Sequence, residues 1–488
     1  DGPAMNQARA AEPPRRDPLR PAAPQPLPAI VKPGLKDVIR FVNRARINLV
    51  SAFDEAVYRV PILRRRSFGA DVWIVSEPEA VKRVLLDNVA NYPKGVQQQR
   101  RLKPALGDAL LTAEGESWRW QRRTTAPAFQ HKRILGFAPA MVEAAAEMVA
   151  RWEAEGEAER DIAAEMMGLT YEVLSRTVFG RDARIDARRM GEAFGLYFDT
   201  VGRLDMAAVF NLPEWVPTLG RLRARPALRF FQGEVGRIVA ERRALMARDP
   251  AAAPDDLLTM LLTARDPEDG RPMDEQQVID NAITFIGAGH ETTANALCWT
   301  LYLLSAFPWA EARVSEELER VLGGRTPAAA DIDGLVYLRQ VLDEAMRLYP
   351  PAPFLGREAA GADALLQHAV RHTHELGGAP VRPGTQIIVS PWILHRHRTL
   401  WDEPELFDPE RFAPERREAI HRFAFIPFGA GPRICIGMAF ALQEAMLLLA
   451  VILQRYRLTV RPGFTVMPLA TITLRPKGGL PMRLERRA

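Results

Sequence analysis

"FGAGPRICIG", residues 428–437, holds one of the two cysteines in a chain of 488 residues. Three glycines, a proline and an arginine surround Cys435, whereas a cysteine that only packs in a core has aliphatic neighbours. Gly429 and Gly431 permit a tight turn and close backbone approach, and Pro432 stiffens it. The apolar run from Met438 reads as a long helix, so Cys435 stands just before a helix N-terminus, where backbone N–H groups and the helix dipole favour a thiolate. Gly437 leaves room for a flat group or a neighbouring helix, and Arg433 sets a cation beside an anionic ligand or beside carboxylates.

A single thiolate cannot build a structural zinc or iron–sulfur site, because no second Cys at Cys-x-x-Cys spacing and no nearby His accompanies it. Haem iron needs only one protein axial ligand. A packed thiol in a glycine-rich turn is the plain alternative, and the loop by itself leaves both open. Bulk properties are those of a soluble globular protein, 47% hydrophobic and 26% charged. A net charge of +5, with no basic run and no interleaving of aromatic and basic residues, argues against nucleic acid as a partner. Cys298 and Cys435 lie far apart in unlike contexts, which argues against a disulfide and for a reducing compartment.

Residues 1–33 are rich in Pro, Ala and Arg and read as a disordered lead-in, with 1–4 a vector remnant ahead of Met5. "VWIVSEPEAVKRVLL" reads as a strand, a turn at Pro78 and a helix. From about residue 140 to 348 the pattern is helical; between 350 and 411 it changes to prolines, glycines and short β-like runs such as "TQIIVS". The tail "TVMPLATITLRPKGGLPMRL" reads as a hairpin. Residues 34–488 are therefore expected to form one mainly α domain with a smaller β-rich portion. The longest apolar stretch, after Gly437, is broken by Gln443 and Glu444 and falls short of the about 18–20 residues that span a bilayer, so no membrane association is expected.

"DEQQVIDNAITFIGAGHETTANALCWTLYLLSAFP" opens with Asp274 and Gln277 at capping-box spacing and reads as a long buried helix. In its middle "AGHETT" places small residues before an acid and two alcohols; a kink with satisfied polar groups and a ligand space are both open readings. "EAMR" sets Glu344 and Arg347 on one helical face, where a surface ion pair is the ordinary reading. Cys298, inside the long helix, reads as a small core residue.

Over residues 35 to 485 the chain resembles the cytochrome P450 family. Its haem-binding loop, Phe-x-x-Gly-x-Arg-x-Cys-x-Gly, is matched at Phe428, Gly431, Arg433, Cys435 and Gly437, and three further motifs occur in the family's order. The resemblance implies the family's fold, with a long central helix over haem b, and makes Cys435 the axial ligand of the iron. It makes Glu291 and Thr292 the acid–alcohol pair that relays protons during oxygen cleavage, with Ala288 and Gly289 flanking the oxygen pocket; His290 matches a variable position and receives no role. Glu344, Arg347 and Arg411, the last from "DPERF", become a buried structural network behind the cysteine loop. Trp118 and Arg122 of "WRWQRR", Arg357 of "FLGREA" and Arg433 become partners of the haem propionates.

A cytoplasmic, monomeric monooxygenase is implied, of the bacterial soluble type. It would use O2 and NAD(P)H-derived electrons from a separate ferredoxin or flavodoxin-like donor to hydroxylate a hydrophobic fatty acid, terpenoid or aromatic. A peroxide-driven enzyme of this family commonly has Arg–Pro where Glu291–Thr292 stands; a haem isomerase or dehydratase often has an altered pair or loop; a gas sensor would need no face for an electron donor. Pocket walls are expected at 94–111, 198–209, 285–289, 352–355 and 469–472. The stretch 359–380 is longer than the family's usual strand and turn; its His368, His372 and His374 read as a surface excursion rather than a metal site.

Overall fold

The long run that begins after Asp274 becomes the axis of the molecule. The computed structural model describes residues 48–67, 70–156, 158–180, 187–201, 219–363 and 381–487. The lead-in at 1–33, most of the expected wall at 198–209 and the histidines of the 359–380 excursion lie outside the described residues. Helices α1 (Val96–Leu106), α2 (Gly115–Thr125), α3 (Ala138–Glu155) and α4 (Ile162–Leu174) come first. Helices α5 (Ala187–Val201) and α6 (Leu219–Arg248) lead to the axial α7 (Glu275–Ala306), followed by α8 (Pro308–Leu322), α9 (Val336–Leu348) and α10 (Met438–Arg455).

The capping box forms as the spacing predicts: Gln277 N–H donates to Asp274 Oδ1 at 2.8 Å, and Asp274 N–H donates to Gln277 Oε1 at 3.0 Å. From Val278 to Leu304 the helix is buried on every side except at Ala288, Gly289 and Thr292. A helix apolar all round belongs in a core, and its one uncovered turn marks where protein does not reach it. Cys298 is buried there, as expected. Helix α10 is long and apolar enough by composition to cross a membrane, yet it is mostly buried against α3, α7 and α8. Gln443 and Glu444 face inward within it, and Gln443 Nε2 donates to Ile134 O at 2.6 Å.

Four strands form the larger sheet, in the order β1 (Ile62–Ser67), β2 (Ala70–Val75), β5 (Gln386–Val389), β4 (Leu355–Glu358). β2 runs parallel to β5, and both outer pairings are antiparallel. A second sheet has the order β3 (Glu159–Asp161), β9 (Pro481–Arg486), β6 (Tyr456–Val460), and β7 (Pro468–Ala470) pairs with β8 (Leu474–Pro476). The tail is therefore not the single hairpin expected. Gly478 and Gly479, at φ +79° and +90°, turn the chain out of β8, and a Cβ at Gly479 would fall 2.5 Å from Asp161 Oδ2, so β9 joins the other sheet.

Behind the cysteine loop lies a fully buried ion pair. Arg347 Nε and Nη2 donate to the two oxygens of Glu344 at 2.6 and 2.7 Å. Its remaining N–H bonds go to the carbonyls of His395, Pro404 and Leu406 at 2.8–3.0 Å. Asp408 N–H donates to Glu344 Oε1 at 2.9 Å, and Arg411 Nε lies 3.6 Å from the same oxygen. The pair is buried, with Arg411 beside it, and does not lie on the surface. His395 extends it: its Nε2 accepts from Ile426 N–H at 2.9 Å, just ahead of the loop.

His395 accepts that bond because it is neutral; burial, then Arg347 and Arg396, push its pKa down to about 3. His290, in α7, is pushed down by burial to about 4. Between the ordinary value near 6.5 and these values the unfolded chain binds a proton that the native chain refuses. Stability is thus lost as pH falls below 6.5, by about 1.4 kcal/mol per pH unit for each histidine. Buried His397, pushed down as well, adds to this loss, while buried Glu444, pushed up, takes up a proton in the native state and opposes it. In urea unfolding between pH 6.5 and 4.5, His395→Gln should therefore lose stability less steeply than the parent, by about 1.4 kcal/mol per pH unit; equal slopes in parent and variant would refute the assignment.

Candidate active site

The cysteine loop is built as its glycines require. Gly429 and Gly431 stand at φ +73° and +71°, and a Cβ at Gly431 would fall 1.9 Å from Leu85 O. Cys435 N–H donates to Phe428 O at 2.9 Å, closing the loop, and Gly429 N–H donates to Ile426 O at 3.0 Å. The surface of Cys435 is exposed even though protein crowds around it. Gly437 has an ordinary φ; a Cβ there would meet only Cys435 Sγ, at 4.0 Å. Its place is explained by the space it leaves beside the sulfur. The expected thiolate does not follow from helix position alone: burial pushes the thiol's pKa up, against the opposing pull of the Gly437 N–H and of Arg122. Desolvation outweighs one N–H and one neighbouring cation.

Cations gather beside the loop. Trp118 and Arg122 are four apart on α2, hence on one face, and Arg433 lies over the Trp118 ring with its Cζ 4.2 Å from the centroid. Arg433 also pairs with Glu114 and donates to Ala113 O at 3.0 Å. Arg357, on β4, is buried; among the described residues it bonds only its neighbour's carbonyl, Gly356 O at 2.8 Å, and its Nε has no hydrogen-bond partner. Burial, then Arg433, push the Arg357 pKa down to about 10. Lys94 joins them: burial first, then Arg433 and Arg357, push its pKa down to about 7. Sequence reasoning had Lys94 only as the edge of a pocket wall, since "NYPKG" matches no motif.

Among the described residues, Lys94, Arg357 and Arg433 thus confront a single carboxylate, Glu114. The imbalance of two positive charges, with an orphaned guanidinium N–H in the interior, fits a group bearing two carboxylates, such as haem with its propionates. A thiol stands one loop away, and haem iron needs only one protein ligand.

On α7 the structure separates the expected pair. Thr292 Oγ1 is on the uncovered turn and donates to Ala288 O at 2.7 Å, one turn back. Glu291 is buried on the other side, its Oε1 accepting from Thr473 Oγ1 at 2.6 Å. Adjacent helical positions do not face one another. His290 is core: Nδ1 lies 2.8 Å from Ile286 O, and the ring sits against Phe194 and Tyr171.

Apolar walls come together from several of the expected stretches. Leu102, Leu106 and Leu110 share one cluster with Phe285 and Ile286, and Ile472 packs against it. The 107–110 segment is tied to α7, since Asn281 Oδ1 accepts from Leu110 N–H at 3.0 Å and Asp280 Oδ2 accepts from Asp108 N–H at 3.2 Å. The 352–355 wall instead packs elsewhere, Phe354 with the main core and Leu355 with the core beneath the larger sheet.

Two propionates beside Lys94 would return its pKa toward the ordinary value of 10.5. Haem binding between pH 8 and 9, where the haem-free lysine is mostly neutral, should therefore take up close to one proton at Lys94, set against the proton that the Cys435 thiol gives up on ligation, and the lysine's share should be far less at pH 6. Calorimetric titration of haem into haem-free protein, in buffers of different ionisation heat, measures this. Lys94→Met should lower the net proton uptake at pH 8–9 by close to one relative to the parent; an unchanged net count in that variant would refute the placement.

The family model described as cytochrome P450 matches residues 45–480. Cyclooctatin synthase of Streptomyces melanosporofaciens is 34% identical over 410 residues, 83% of this chain and 84% of that protein. Pentalenene oxygenase of Streptomyces avermitilis is 34% identical over 427 residues, 87% and 90% of the two chains. Among solved structures, the crystal structure of the cytochrome P450DA heme domain superposes with a TM-score of 0.76 at 25% identity, covering 92% and 93%. Joined to the thiol loop and its cationic cradle, these matches show that the chain belongs to the cytochrome P450 family, monooxygenases that use haem b, O2 and NAD(P)H-derived electrons delivered by partner proteins.

Proposed function

We propose that this chain is a soluble, cytoplasmic haem-thiolate monooxygenase of the bacterial type, residues 34–488 forming one haem domain, and that it hydroxylates a terpenoid. The cradle carries the reading: an accessible thiol in a glycine loop beside a buried excess of two positive charges. Cys435 Sγ is the axial ligand. Trp118, Arg122, Arg357 and Arg433, with Lys94, hold the propionates, while Phe428 and Gly437 shape the floor around the sulfur. Bound in this way, haem supplies the oxidising power for an unactivated C–H bond.

The rest is done by side chains. Ala288 and Gly289 keep the α7 surface low where substrate and oxygen must both fit. Thr292 Oγ1 holds a proton at that surface, and Glu291, on the buried side, is the acid that replenishes it. Glu344, Arg347 and Arg411 keep the loop in place and touch nothing reactive. The walls drawn from Leu102, Leu106, Leu110, Phe285 and Ile472 are apolar and exclude water, which suits a hydrocarbon skeleton. Relatives named for cyclooctatin, cyclooctat-9-en-7-ol and pentalenene support a terpenoid over a fatty acid or small aromatic. Electrons come from a separate ferredoxin or flavodoxin-like donor, and the enzyme acts as a monomer.

The test is a Soret titration of the haem-loaded protein with a cyclic terpenoid, a fatty acid and a small aromatic. A blue shift with the terpenoid alone is expected, because substrate that fills the pocket drives out water. A shift with only the fatty acid would overturn the substrate class. Cys435→Ser should lose the thiolate-type band of the reduced carbonyl adduct; a variant that kept the band would overturn the ligand.

A further inference from the structure

Thr473 belongs to no motif read from the sequence. It sits in the turn between β7 and β8, where Thr471 N–H donates to Thr473 O at 3.0 Å. Its hydroxyl is buried and donates to Glu291 Oε1 at 2.6 Å. The turn is held firmly enough for that bond to fix the acid. Leu474 N–H donates to Pro351 O at 2.9 Å, and Leu474 O accepts from Trp299 Nε1 at 3.0 Å, a little over two turns further along α7. The β7–β8 hairpin is therefore fastened to α7 at two places, one of them the carboxylate itself.

The surroundings sharpen the assignment. Three successive residues of α7 meet three different environments: Glu291 meets the turn, Thr292 the uncovered face, and Thr293 the fully buried Glu444 of α10. Helix rotation is thus set from both flanks, and Thr292 is left pointing into the open turn. Ile472, next to Thr473, packs half-buried against the apolar cluster that holds Phe285 and Ile286. One short turn carries both a residue on the substrate side and the donor that orients the acid.

We propose that Thr473 is a positioning residue for Glu291: its hydroxyl fixes the carboxylate rotamer from which protons are resupplied to the Thr292 side, and it sets how much of the reducing power ends in product. This rests on the monooxygenase reading above. Hydroxylation converts R–H, O2, two electrons and two protons into R–OH and water, the electrons coming from NAD(P)H through the partner proteins. When proton supply is mistimed, the same electrons and protons leave with O2 as hydrogen peroxide. Removing the hydroxyl takes away the bond that holds Glu291 Oε1 at 2.6 Å.

The experiment compares Thr473→Val, which keeps shape and branching but lacks the donor, with Thr473→Ser, which restores it, and reads two quantities. The first is a double-mutant cycle in urea between Thr473→Val and Glu291→Gln, which needs no turnover. The second is product formed per NAD(P)H consumed, with peroxide counted, in haem-loaded enzyme whose substrate-induced Soret shift matches the parent's. The expected result is non-additivity in the cycle, and a fall in coupling of about five- to tenfold for valine, the size of one ordinary intramolecular hydrogen bond. Peroxide should rise to match, serine should recover most of the loss, and valine should add nothing to Glu291→Gln. Thr473→Ala is read in the same way should valine cost haem content. Additive unfolding energies, or valine coupling equal to the parent's, overturn the proposal. A parent that makes no product while the cycle stays non-additive refutes the monooxygenase reading and leaves the bond between the two residues standing.

Discussion

Everything in the active-site half of the molecule depends on two charges that see no water, Glu344 and Arg347. Burying ions is expensive, and the pair survives because every hydrogen-bonding direction is answered. The guanidinium spends two N–H bonds on the carboxylate and the rest on three carbonyls from the 395–406 segment, while the carboxylate takes a further N–H from Asp408. An irregular stretch with little secondary structure of its own is thereby organised around one side chain. From there the order passes through His395 to Ile426 N–H, through Ile426 O to Gly429, and through Phe428 O to Cys435 N–H. Removing one partner would strand the other charge at a cost of about 3–5 kcal/mol, and the strain would be felt first in the cysteine loop.

The active site has the opposite character. Behind the loop charges are fully matched; beside it they are deliberately unmatched. Lys94, Arg357 and Arg433 share one carboxylate, and burial makes each of them easier to deprotonate than it would be in water. Such an arrangement is poor for stability by itself and good for retaining a dianion, because the binding energy of the anion is what relieves the repulsion. The glycine loop, the one uncovered turn of α7 and the cationic cradle are three separate departures from good packing. A single flat, dianionic, iron-bearing group accounts for all of them.

Much of this was readable before any coordinates. The capping box at Asp274, the positive-φ glycines at 429 and 431, the i, i+3 spacing of Glu344 and Arg347 and the single thiol ahead of a helix are local signals, each carried by a few adjacent residues. What escaped were partnerships between distant segments. Lys94 is separated from Arg357 and Arg433 by more of the chain than any pattern spans, and Thr473 meets Glu291 only because β8 is laid along α7. The tail misled for the same reason: its alternation announced strands, but Gly479 packing against Asp161 sent β9 to a different sheet.

The sequence by itself determined the helical axis, the cysteine loop, the structural ion pair and the kind of chemistry they serve, because those depend on short-range geometry and on residue type. Only the tertiary structure decided which charges lack partners, which side of α7 is open, and that the acid and the alcohol of the neighbouring pair at 291 and 292 look in different directions. Those are properties of what packs against a helix, and a helix of fixed periodicity cannot announce its neighbours.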